Sequence, residues 1–200
     1  MGLFRKLFRT KRKPVIIVSG LPRSGTSMMM KMLQAGGVDV LVDDIRKPNE
    51  DNPKGYYEFE RVKKLPEGDV GWLRHAQGRA VKVIAALLPY LPDTYAYRVL
   101  FMHRRLDEIL ASQRQMLIRR GEDPDKVDDA DMARLFEKHI AQVYTWMDQQ
   151  TTVSYLDIDY NSMLEDPAPL LTQIQAFLRR PLDVAQMAAV VDPALYRQRR

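Results

Sequence analysis

The sequence predicts an α/β fold built on a mostly parallel central sheet, and three observations predict it. Two runs, Pro14–Gly20 and Tyr97–His103, are almost continuously apolar and β-branched, as strands covered on both faces must be. Stretches of helical periodicity separate the strand-like runs along the chain. A glycine-bounded turn, Gly20-Leu21-Pro22-Arg23-Ser24-Gly25, joins the first run directly to a helical pattern.

The elements follow in order. Pro14–Gly20 reads as a buried strand. Thr26–Ala35 reads as a helix whose Met28, Met29, Met30, Met32 and Leu33 supply core-filling apolar surface, ended by Gly36-Gly37. Val38–Val42 reads as a second short strand. Asp43 to about Lys54, with two prolines and many charges, reads as a loop of a length that usually carries function. A helical stretch is expected near Phe59–Leu65 and a β-branched strand at Ala80–Ala85. Tyr97–His103 is the next buried strand, followed by a helix over Asp107–Arg119. Gly121–Asp129 is an acidic turn, and a long helix covers about Ala130–Gln149. Thr152–Ile158 alternates as a strand does, and helices near Ala168–Arg179 and Val184–Val191 complete the pattern.

Composition narrows the function classes. The chain is 46% apolar and 28% charged, which suits one globular domain with a real core. No apolar run approaches the roughly 20 residues needed to span a bilayer. Cysteine is absent, which removes disulfides, thiolate metal sites and cysteine nucleophiles and fits a reducing, cytoplasmic setting. The net charge is +5, yet Arg5, Lys6, Arg9, Lys11, Arg12 and Lys13 crowd the first thirteen positions with no acid among them. The remainder is near neutral, so the global charge does not point to nucleic acid. Residues 1–13 lack the uninterrupted apolar stretch of a signal peptide. Leu3, Phe4, Leu7 and Phe8 would share one helical face, so a peripheral contact with the inner membrane face stands open beside a frayed basic tail.

Chemistry concentrates in two places. The first is the turn Gly20–Ser27. A strand, a tight turn and a helix N-terminus together aim backbone N–H groups and partial positive charge at one point, which is how phosphate is cradled. The glycines are spaced as in a Walker A loop, but Thr26 stands where the Walker lysine belongs and the cation, Arg23, lies inside the loop. Such a loop holds phosphate but is poorly equipped for ATP hydrolysis. The second is Met102-His103-Arg104-Arg105, which a strand delivers to its carboxyl end. Ser112 follows Arg104 by eight residues, two turns into the next helix, so a guanidinium and a hydroxyl can close on one anion.

Together the two stretches resemble the sulfotransferases that use 3′-phosphoadenosine-5′-phosphosulfate (PAPS), in particular the shorter bacterial-type members. Pro22-Arg23-Ser24-Gly25-Thr26-Ser27 is similar to that family's 5′-phosphosulfate loop, and Arg104 with Ser112 matches its 3′-phosphate pair at the family spacing. The resemblance runs from about Pro14 to Arg180, which makes residues 14–200 the sulfotransferase-like domain behind the basic segment 1–13. Arg105 and Leu106 stand where family members often carry an Asp or Asn and a Pro. The family's glycine-rich basic C-terminal segment is missing, and Tyr196-Arg197-Gln198-Arg199-Arg200 could supply cations in its place.

The resemblance implies a three-layer, P-loop-NTPase-like fold and sulfuryl transfer from PAPS to a hydroxyl or amine, leaving 3′,5′-adenosine bisphosphate. It implies that Arg23 and the N–H groups of Ser24, Gly25, Thr26 and Ser27 meet the phosphosulfate, and that no metal takes part. The acceptor needs a base within hydrogen-bond reach. Glu58, in Gly55-Tyr56-Tyr57-Glu58-Phe59-Glu60, is favoured; Glu60 and His75 remain alternatives. Lys82, the one charge in Ala80-Val81-Lys82-Val83-Ile84, either lies on an exposed strand face or points into the site. The acidic run from Glu122 to Asp131 lacks a calcium loop's glycine and terminal glutamate and reads as a solvated turn ending in a helix cap. Small molecules, lipids and carbohydrates all remain open as acceptors. A P-loop kinase or NTPase, and a non-catalytic nucleotide-binding or membrane-associated module, are the competing readings.

Overall fold

In a computed structural model, described over residues 13–43, 45 and 55–191, four parallel strands form one sheet in the order β2-β1-β3-β4. The strands are β1 (Val15–Gly20), β2 (Ala80–Lys82), β3 (Tyr97–His103) and β4 (Val153–Asp159). The helices are α1 (Thr26–Ala35), α2 (Leu73–Ala76), α3 (Leu106–Arg119), α4 (Asp129–Gln149), α5 (Tyr160–Glu165), α6 (Pro167–Leu178) and α7 (Val184–Ala189), with 3₁₀ segments at Glu60–Glu67 and Ala85–Tyr90.

The layers follow from strand alternation. Ile16, Val18, Leu100, Met102 and Ile158 face Met29, Met30, Leu33, Leu171, Ile174 and Met187 of α1, α6 and α7. Val15, Ile17, Val81, Val99 and Phe101 face the other way, against Trp72, Leu73, Leu88, Val143 and Met147. The sheet is thus covered on both faces, which explains why β1 is buried at every position. Met29, Met30 and Met32 are core, as the reading of the methionine run expects, with Met28 packed against them; Trp72 is buried in the opposite core layer and Trp146 packs at its margin.

Three expectations are corrected. Val38–Val42 is not a strand: Val40 makes a single parallel bridge to Ala80, because β2 offers only three residues to pair with. The run Ala80–Ala85 ends as a strand at Lys82. Val83 N–H still donates to Val18 O at 3.0 Å before the chain turns into the 3₁₀ segment at Ala85. Short helices at Leu73–Ala76 and Tyr160–Glu165 appear where no helix is expected, both too brief for a periodic signal. The basic segment (1–12), most of the loop after Asp43, and the C-terminal cations lie outside the described residues.

Every parallel strand points its carboxyl end the same way. The ends of β1, β2, β3 and β4 therefore place Gly20, Lys82, His103 and Asp159 along one edge of the sheet, where ligands of open α/β sheets bind.

Candidate active site

The loop after β1 is held in one shape by close packing. Gly20 has φ +145°, and a Cβ there would lie 2.6 Å from both Met102 O and Ser24 Oγ. Gly25, at φ +97°, caps α1, and a Cβ would meet the Tyr160 ring at 2.4 Å. Neither position admits a side chain. Ser24 is fully buried and its Oγ donates to Leu21 O at 2.7 Å, closing the turn. Arg23 stands between them with φ +72°, a backbone conformation that costs a non-glycine residue free energy and is characteristic of functional loops. That geometry sends its guanidinium across to α3, where Nε donates to Ser112 Oγ at 2.9 Å. The N–H groups of the first turn of α1 have no intrahelical acceptors, and the helix dipole adds positive potential at the same spot.

Arg104 reaches the loop from the other side. Its Nη1 donates to Arg23 O at 3.1 Å, and its guanidinium lies 4.7 Å from the centroid of the Tyr160 ring that Gly25 packs against. Its Nε donates to Glu108 Oε2 at 2.8 Å. Glu108 is fully buried, one turn into α3, and also accepts from Arg105 Nε at 2.9 Å and Asn161 Nδ2 at 3.0 Å. A buried carboxylate is tolerable only with such partners. Glu108, Tyr160 and Asn161 therefore fix the arginine that sequence reasoning selected. Tyr160 and Asn161 had no sequence signal, since only the fold brings the end of β4 to this place. Arg104 and Ser112 are brought together through Arg23 and the shared helix.

The acceptor-side candidates separate cleanly. Tyr56 O accepts from Ser27 Oγ at 3.1 Å and from Lys82 Nζ, so the segment carrying Glu58 is pinned both to α1 and to β2. Tyr57, at φ +52°, turns its hydroxyl to Gln34 at 2.9 Å. Asp43 N–H donates to Glu58 O at 3.2 Å. Glu58 Oε1 lies 3.5 Å from Lys82 Nζ, and Oε2 lies 3.7 Å from Lys63 Nζ. Lys82 is only 8% exposed and is directed at the carboxyl edge, which settles the choice between an exposed strand face and an inward-pointing lysine. Glu60 is more exposed and pairs with Lys63 at 2.7 Å on the 3₁₀ surface. His75 accepts from Arg74 Nε at 2.8 Å at the opposite, amino end of the sheet, where Gly78 N–H donates to Pro14 O.

His103 belongs to a separate cluster on the α4 side. Its Nε2 lies 2.5 Å from Tyr144 Oη and 2.9 Å from Asp157 Oδ1, and the two rings stack. Burial, then the bond to Asp157, holds the Tyr144 hydroxyl well above the usual phenol range. Asp128 caps α4 by accepting from Ala130 N–H at 2.9 Å, so the acidic run does what its reading as a turn requires. Among the described residues no cluster of three His, Asp or Glu side chains could hold a metal ion.

A parallel sheet, a glycine-shaped loop running into a helix and arginines at the next strand end define a P-loop-like α/β protein. More narrowly, the chain has the sulfotransferase fold. The sulfotransferase STF1 from Mycobacterium tuberculosis H37Rv superposes with a TM-score of 0.61 at 17% identity, covering 92% of this chain and 73% of that one. Mouse sulfotransferase SULT7A1, solved in complex with PAP, gives 0.57 at 18% identity over 90% of this chain and 62% of its own, so this chain spans about three fifths of its length. The sulfotransferase domain of the Synechococcus PCC 7002 olefin synthase gives 0.52 at 16% identity, over 95% and 85%. No family model and no curated protein sequence matches the chain.

Proposed function

We propose that the protein transfers a sulfuryl group from PAPS to a hydroxyl or amine of a small-molecule acceptor. The observation that carries this reading is the linked donor set Arg23, Ser112 and Arg104, closed by the Arg23–Ser112 and Arg104–Arg23 hydrogen bonds at the mouth of a helix N-terminus. The set offers two guanidinium groups, hydroxyls and backbone N–H donors. The carboxylate among them, Glu108, is already engaged by Arg104, Arg105 and Asn161. That chemistry suits a nucleotide with two separate phosphates, and glycines at 20 and 25 let the loop pack closely against Met102 and Tyr160.

When bound, PAPS would supply an activated sulfuryl group on a phosphate leaving group. Arg23 and the N–H groups of Ser24, Gly25, Thr26 and Ser27 would hold the phosphosulfate end and meet charge as it develops there. Arg104 and Ser112 would hold the 3′-phosphate. Glu58 would accept the acceptor's proton, and Lys82, fixed 3.5 Å from it, orients that carboxylate and adds a cation on the acceptor side. The absence of a Walker lysine, with Thr26 in its place, speaks against the kinase and NTPase reading.

Thermal unfolding with and without 3′,5′-adenosine bisphosphate tests the reading. Ligand at a hundred times its dissociation constant adds about 2.7 kcal/mol. An unchanged transition at millimolar ligand on folded protein would sink it, and binding without sulfuryl transfer to any acceptor would leave the non-catalytic module.

A further inference from the structure

Past the carboxyl end of β3, two arginines grip one buried carboxylate from its two oxygens. Arg105 stands at the N-cap of α3, and Glu108 and Ser112 follow it at three and seven residues, along one face of the helix. Arg104 Nε donates to Glu108 Oε2 at 2.8 Å. Arg105 holds the other oxygen, Oε1, through Nε at 2.9 Å and Nη2 at 2.8 Å, and Asn161 Nδ2 reaches the same oxygen at 3.0 Å. Arg23 joins the row through Ser112 Oγ at 2.9 Å. Exposure separates the members: the Glu108 side chain is 0% exposed and Arg104 8%, whereas Arg105 is 53% exposed.

Charge decides what this arrangement can hold. Glu108 receives donors only, two of them guanidinium groups, and so serves as an ionised carboxylate. With Arg104 alone it would form a neutral unit, which has little Coulombic pull on an anion. Arg105 turns that neutral pair into a group of net positive charge, and it carries that charge to the surface. The other acids beside this group on α3 and β4 are turned to different partners. Asp107 lies on the opposite side of α3, where its Oδ1 accepts Glu108 N–H at 2.9 Å. Asp157 Oδ1 lies 2.9 Å from His103 Nε2, and Asp159 Oδ1 accepts Ser162 N–H at 2.7 Å to cap α5. A phosphate monoester carries about −1.5 to −2 charges at pH 7, more than a neutral arginine–carboxylate pair can answer.

We infer that Arg105 is the residue by which the site tells a 3′-phosphorylated nucleotide from one that lacks the group. Arg104, buried against the Tyr160 ring and bonded to Arg23 O, fixes the hub. Arg105, at the exposed end of the same hub, supplies the charge that a 3′-phosphate requires and a ribose hydroxyl does not. The inference rests on the PAPS reading and adds a selectivity determinant to it, at a position where this chain departs from the family pattern.

Calorimetric titration of the full chain with 3′,5′-adenosine bisphosphate and with adenosine 5′-monophosphate is the test. Wild type should prefer the bisphosphate. Arg105→Gln should weaken bisphosphate binding about tenfold or more and leave monophosphate binding within about twofold, because one charge-assisted contact to the 3′-phosphate is lost. Arg105→Lys keeps the charge and should recover most of that affinity. Bisphosphate binding should also fall less steeply with salt in Arg105→Gln than in wild type. Undiminished bisphosphate binding in Arg105→Gln overturns the inference and leaves the PAPS reading standing. Equal weakening of both ligands overturns it as well, since Arg105 would then act only by holding Glu108. A wild type that binds neither ligand removes the PAPS reading and the inference with it.

Discussion

The two halves of the proposed site are built differently. The phosphate half is locked by side chains: a buried carboxylate, two arginines, an aromatic ring and two glycines that admit no Cβ. The acceptor half is held largely through its backbone, at Tyr56 O, which Ser27 and Lys82 share, and at Glu58 O, which accepts from Asp43 N–H. The difference is physical sense. A nucleotide of constant shape rewards donors fixed in advance, whereas a segment held by its backbone can change its side chains without changing its position.

Glu58→Gln breaks the comparison most directly. It removes the proposed base, so turnover should fall about 10²–10⁴-fold while the unfolding midpoint stays within about 1 kcal/mol of wild type. A variant that keeps its turnover would move the base elsewhere. On the phosphate side the balance reverses. Glu108→Ala leaves Arg104 and Arg105 without their buried partner and should cost about 3–5 kcal/mol in denaturant unfolding. A loss below 1 kcal/mol would show that the hub is not what holds this half. Gly25→Ala should cost about 1–3 kcal/mol from φ strain and from the clash with Tyr160, and should weaken bisphosphate binding in calorimetry.

Alkaline unfolding reads the scaffold beneath both halves. Burial raises the Tyr97 and Tyr144 hydroxyls, with Asp157 adding to the effect at Tyr144. A raised folded pKa stabilises the protonated fold below the unfolded value near 10, and that contribution disappears as pH rises beyond it. Stability should therefore decline above about pH 10, and Tyr144→Phe should flatten the decline. Smallest of all, Lys63→Gln removes an exposed cation 3.7 Å from Glu58 and should alter stability by less than about 0.5 kcal/mol.

Local grammar was legible in the sequence where a single element carried it. The buried run Tyr97–His103 and the helix Thr26–Ala35 have the bounds their patterns predict, because apolar continuity and a glycine stop are read within one stretch. The loop glycines and the Arg104–Ser112 spacing were legible for the same reason. Tyr160, Asn161 and the buried state of Lys82 were not, since each depends on strands that are distant in sequence and adjacent only in the sheet. Val38–Val42 shows the converse: strand-like residues form a ladder only as long as the neighbour allows, and here the neighbour is three residues long.

The strand order carries one more consequence. Among the described residues β1 precedes the other strands in the chain and is an interior one, flanked by β2 and β3. Its run Val15-Ile16-Ile17-Val18 has no partner on a growing chain until residues near 80 and 97 have followed it. During synthesis at about 5–20 residues per second, that interval lasts several seconds with an aggregation-prone segment uncovered. Yield on overproduction should therefore respond to translation rate and to chaperone supply, even in variants whose finished fold is fully stable.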